Sequence, residues 1–107
     1  MTKQELIDQL HELETRLQSK DVEDKFIGNI EFTKKRGDLG TFIGKLDNAA
    51  EAAIAQRLDE LSPQFQKGID NLTAQLQKLK NLKQILTILA TILDLGVEVF
   101  KIVAKGS

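Results

Sequence analysis

Apolar residues recur at steps of three and four along most of the chain, beginning with Leu6, Leu10, Leu13 and Leu17, a stripe that Ile7 widens. That period places side chains on one face of an α-helix. Thr2 and Glu5 stand just ahead of it at the spacing of a capping box, in which each side chain takes up the other's free backbone N–H. An amphipathic helix over about residues 3–19 is predicted. Ser19, Lys20 and Asp21 read as a short break, with Asp21 placed to cap the next helix.

From Val22 the positions Val22, Phe26, Ile27 and Ile30 keep helical spacing, and Lys34-Lys35-Arg36-Gly37 has the form of a helix C-terminus, cations in the last turn and glycine beyond. Helix is the preferred reading. A short β-hairpin around residues 30–43 is its rival, since Ile30 and Phe32 alternate with Glu31 and Thr33 and Leu39 to Ile43 could return. Asp38 or Thr41 then caps a further helix whose face carries Leu39, Phe42, Ile43, Leu46, Ala50, Ala53, Ile54, Leu58 and Leu61. Ser62-Pro63 pairs a capping residue with proline at a first helical position, so a break is expected there, the alternative being a kinked but continuous helix.

Beyond Pro63, Phe65, Ile69, Leu72, Leu76, Leu79, Leu82, Leu86, Leu89, Leu93, Val97, Phe100 and Val103 step by three or four. One long helix is predicted, some forty residues spanning on the order of 60 Å if straight, with Asn81 or Gly96 as candidate bends. The expected fold is all-α, a four- or five-helix antiparallel bundle with a long C-terminal helix, forming a single domain over residues 1–107. Its expected core is Leu10, Leu13, Phe26, Ile30, Phe42, Leu46, Ile54, Leu58, Phe65, Leu72, Leu76, Leu86, Leu89, Leu93 and Phe100.

Residues 85–104 stand apart, with fourteen of twenty positions apolar. The polar positions Thr87, Thr91, Asp94, Glu98, Lys101 and Lys105 fall within an arc of roughly 80° at helical pitch, leaving the rest of the circumference apolar. Such a helix needs cover on nearly every side. Three covers are possible: the chain's own helices, self-association into a dimer or higher oligomer, or a bilayer. Asp94, Glu98 and Lys101 each oppose a simple membrane span by about 2.5–3.5 kcal/mol, yet grouped on one stripe they could line a pore or meet headgroups. The candidate interaction surface is therefore Leu86, Leu89, Leu93, Val97 and Phe100 with Asp94, Glu98 and Lys101.

Composition agrees with helix, Leu, Ile and Ala dominating while Trp and Tyr are absent. The lack of cysteine excludes disulfides, thiolate catalysis and cysteine-ligated zinc, and fits a cytoplasmic protein. The start has no basic region followed by an apolar run, so no secretory signal is expected. A net charge of −1 divides into −4 over residues 1–62 and +3 over residues 63–107, a balance that does not favour nucleic acid.

Few residues point to site chemistry. Asp8 and His11 share a helix face as in di-metal bundles, but those sites need a second histidine and His11 is the sole one. Lys34-Lys35-Arg36 and the looser Lys78, Lys80 and Lys83 lack the interleaved aromatics of single-strand binders, and Gly37 to Gly44 match no phosphate-loop pattern. No nucleophile–base arrangement is evident. No enzyme activity, cofactor or metal is expected. The function expected is a non-enzymatic helical protein–protein interaction or oligomerisation module, with a protein partner or itself; the alternative is a membrane-active protein whose helix 85–104 inserts in or lies on a bilayer.

Overall fold

The capping box at Thr2 is formed: Glu5 N donates to Thr2 Oγ1 at 3.1 Å and Thr2 N to Glu5 Oε1 at 2.9 Å. The computed structural model describes the backbone of residues 1–105 and the side chains of residues 1–101. The side chains of Val103 and Lys105, assigned above to the stripes of the last helix, lie outside the described residues. Those described form five helices and no strand: α1 (Lys3–Leu17), α2 (Lys20–Lys25), α3 (Ile30–Asn48), α4 (Glu51–Lys78) and α5 (Leu82–Lys105). The hairpin around 30–43 is not formed, because that stretch lies wholly inside α3.

Helix ends depart from the sequence reading at several places. The helix expected from Val22 to Arg36 is cut in two: α2 stops at Lys25, Gly28 takes φ +78°, and Asn29 starts α3 by accepting from Phe32 N at 2.9 Å. Glycine enters that left-handed region without a Cβ penalty, which is what allows the turn. The shift in register brings Phe32 against Phe26, ring centroids 4.1 Å apart, and leaves Ile30, an expected core residue, 84% exposed alongside Ile27 at 84%. Asp21 does not cap α2; Ser19 stands at the cap position without a side-chain cap hydrogen bond, and Asp21 sits in the first turn.

Gly37 does not end a helix either, and neither Asp38 nor Thr41 begins one. α3 runs through all three, because Leu39, Phe42, Ile43 and Leu46 are buried beyond them. That burial outweighs the roughly 1 kcal/mol cost of an interior glycine. Gly37 and Gly44 are exposed, and a Cβ at either would have no neighbour within 4 Å. Gly37→Ala and Gly44→Ala are therefore expected to stabilise the protein by about 0.5–1 kcal/mol each, read as a higher urea midpoint with unchanged slope. A loss of stability from either would mean that α3 does not pass through these positions.

The break expected at Ser62-Pro63 falls instead at Ala49-Ala50, where the backbone turns extended. Two carbonyls at this end, Asp47 O and Ala49 O, accept from Lys3 Nζ at 3.4 and 3.0 Å. Pro63 stands within α4, on its exposed side, while Leu58, Leu61, Phe65 and Ile69 are buried around it. An interior proline costs about 3 kcal/mol, which four buried side chains at about 1.5–3 kcal/mol each outweigh. The continuous alternative is the one adopted.

The long helix expected after Pro63 is interrupted once. Leu79 takes a left-handed φ of 49°, and Asn81 restarts the chain as α5 by accepting from Gln84 N at 3.0 Å. Gly96 lies within α5. A single core draws Leu6, Leu10 and Leu13 from α1, Val22 from α2, Leu39 and Leu46 from α3, Leu58, Phe65 and Leu72 from α4, and Ile85, Leu89 and Ile92 from α5. α5 packs most extensively on α4, with Gly68 against Ile92; α1 lies on α3 and α4, and α3 on α5.

Candidate interaction surface

α5 carries two apolar faces. Ile85, Ile88, Leu89, Ile92 and Val99 are buried, and Gly96 with them. Beside them, next to the polar stripe, Leu86, Ala90, Leu93, Val97 and Phe100 recur at steps of four and three and stay partly open, Val97 being 55% exposed. Of the apolar residues assigned to the surface from sequence, Leu86, Leu93, Val97 and Phe100 lie on this arc, whereas Leu89 is fully buried and belongs to the core.

The open arc forms one wall of a groove of about 620 Å³ whose other wall is α3. Its apolar lining is Phe42, Leu93, Val97 and Phe100, and charged side chains line it from both helices, Lys35, Asp38 and Lys45 from α3 and Asp94 and Lys101 from α5. Phe42 fixes the depth of the floor. Its ring lies parallel to Phe65 with centroids 6.2 Å apart and edge-on to Phe100 at 6.1 Å, arrangements that aromatic quadrupoles favour. The slot for the ring exists because residue 96 has no side chain: a Cβ there would lie 2.9 Å from Phe42 Cε1 and Cζ.

The rim charges differ in their ties. Lys34 pairs with Asp38 at 3.3 Å and Lys35 reaches Glu31 at 3.9 Å, both along α3. Glu98 pairs with Lys101 at 3.3 Å and also with Arg57 of α4 at 3.3 Å, so it acts less as a free surface charge than as a tie between α4 and α5. The lysine's hydrogen bond and charge, then Arg57, hold the Glu98 carboxyl below its ordinary value. Asp94 and Lys45 have no ion-pair partner among the described residues.

Elsewhere some charged groups tie helices together. Arg16 donates to Ser19 Oγ at 2.7 Å, to Asp21 at 2.8 Å and to Leu76 O at 2.9 Å, joining the end of α1 to the start of α2 and the last turn of α4. Hydrogen bonds from Arg16, then Ser19, bring the Asp21 carboxyl down to about 2. This cluster went unread in the sequence, where Arg16 is one more polar position. Lys34, Lys35 and Arg36 stand mid-helix, Arg36 meeting Glu23 at 3.4 Å and the Phe32 ring. His11 is exposed beside Glu14 at 3.4 Å, while Asp8 accepts from Gln4. No group of residues that could hold a metal ion occurs among the described residues, and none of their helices is long and apolar enough to cross a membrane. No protein-family model, curated protein or solved structure matches the chain.

Proposed function

We propose that the chain is a non-enzymatic helical module for protein–protein interaction or oligomerisation, working through the α3–α5 groove. The carrying observation is the second apolar face of α5, which the chain's own core leaves part-open next to an aromatic-floored groove. Apolar surface removed from water contributes about 25 cal/mol per Å², and a helix laid between two helices is a common way to remove it. On this reading residues 1–107 form one domain, an antiparallel bundle. The three-residue link from α4 to α5 supports that arrangement, as do Arg57 at Glu98 and Gly68 at Ile92, which run in opposite order along the two helices.

The test is a photo-crosslinking residue at position 97, with a control at the exposed Gln66 on α4. A discrete protein adduct from 97 and none from 66, in an extract of the source cells, is the expected result. The membrane-active alternative expects no adduct and co-flotation of the chain with vesicles; that outcome would overturn the interaction reading.

A further inference from the structure

We infer that the occupant of the α3–α5 groove is a second copy of this chain, docked about a twofold axis that runs across the groove. The inference rests on the interaction reading above and adds to it the identity of the partner.

The argument is the arrangement of charge on the two walls. On α3, Asp38 and Lys45 stand seven residues apart with Phe42 between them; on α5, Asp94 and Lys101 stand seven apart with Val97 between them. Seven residues are two helical turns, about 10 Å along either axis. The close approach of Gly96 to the Phe42 ring sets the two midpoints level. A hollow continuing the groove is lined by Gly44, Lys45, Asn48, Ala49 and Phe100, so the Lys45 end of α3 and the Lys101 end of α5 lie together. The groove thus has the carboxylates of Asp38 and Asp94 at one end, the first already paired with Lys34, the ammonium groups of Lys45 and Lys101 at the other, the second already paired with Glu98, and an apolar centre. Lys35, the remaining cation of the lining, is turned towards Glu31.

A surface of that kind is complementary to itself in one orientation. Rotation about an axis across the groove sets each helix over its own copy in reverse, so that Asp38 faces Lys45 and Asp94 faces Lys101 of the second chain, and the pairs occur twice. Val97 and Phe42 then meet their own copies at the centre. Rotation about the groove's long axis instead sets carboxylate over carboxylate and lysine over lysine, which like-charge repulsion disfavours. Asp94 and Lys45, without ion-pair partners among the described residues, gain one each in the favoured arrangement. The apolar centre supplies the association, and the rim sets its direction.

The experiment reads solution mass by light scattering for three chains: wild type, a chain carrying Asp38→Lys and Asp94→Lys, and a chain carrying Lys45→Glu and Lys101→Glu. All four positions are exposed. Wild type is expected to rise from one chain mass towards two as concentration approaches about 1 mM, the weak end suited to a small interface. Each reversed chain is expected to associate with itself at least about tenfold more weakly. An equimolar mixture of the two should recover a heterodimer, since every facing pair is again of opposite sign. Val97→Lys, at a position already 55% exposed, provides a second route and should likewise abolish the dimer. A wild type that stays monomeric, a dimer indifferent to the reversals, or no recovery on mixing overturns the inference. A monomeric wild type that still crosslinks a different protein from position 97 overturns it while leaving the interaction reading intact; loss of both results overturns both.

Discussion

Phe65→Ala is expected to destabilise the protein by about 3–5 kcal/mol, the range for emptying a fully buried aromatic site. Phe65 is wholly inaccessible to water, and its ring lies parallel to Phe42 on α3, which in turn meets Phe100 on α5. Truncation leaves a void where three helices meet, two residues after a proline that already deprives α4 of a backbone hydrogen bond. For a chain of this size each kcal/mol moves the melting temperature by about 4–8 °C, so a fall of about 12–40 °C is expected in a thermal melt followed by circular dichroism. Ile30→Ala is the control. It removes a side chain that is 84% exposed and should change stability by no more than about 0.5 kcal/mol. If the two substitutions cost the same, the register of α3 described here is wrong.

The contrast between Phe65 and Ile30 shows what the apolar pattern could carry. Where the stripe was long and flanked by a capping signal, as from Leu6 to Leu17, helix and core face were both legible. Between Val22 and Ile30 the same spacing misled, because Val22, Phe26 and Ile30 continue a helical period across a turn. Gly28 breaks the helix there, and stacking of Phe26 on Phe32 outweighs the cover Ile30 would have found on a continuous one. Proline and glycine were read as stops at Pro63 and Gly37, yet local penalties of about 1–3 kcal/mol yield when buried residues continue on both sides. The break at Ala49-Ala50 had no local signal, since alanine is a strong helix former. The carbonyls of Asp47 and Ala49 there are met by Lys3, at the start of α1.

The candidate surface was half legible. The sparse polar stripe of α5 marked it as a helix with more apolar surface than one neighbour covers, and four of the five apolar residues assigned to that surface line the open arc. Sequence could not show that the opposite wall is α3, because which helices become neighbours depends on the core as a whole. Asp38 and Lys45 therefore went unnoticed as counterparts of Asp94 and Lys101, although their spacing is the same.

Gly96→Leu should cost about 2–3 kcal/mol, and Gly96→Ala about 1–2 kcal/mol, against the gain of roughly 1 kcal/mol that helix propensity alone assigns to alanine. The sign is decided by Phe42. A Cβ at position 96 meets three atoms of its ring at 2.9 to 3.0 Å, well inside ordinary contact. The ring is held from the other sides by Phe65 and Phe100 and cannot move away without opening the core. A longer side chain drives it outward, raising the groove floor where the occupant would rest, so urea stability and association from position 97 should fall together. The same Gly→Ala exchange is thus expected to stabilise at Gly37, where the added methyl meets nothing, and to destabilise at Gly96. Should Gly96→Ala raise the urea midpoint as Gly37→Ala does, Phe42 is not seated against α5, and the groove loses the aromatic floor on which an apolar partner depends.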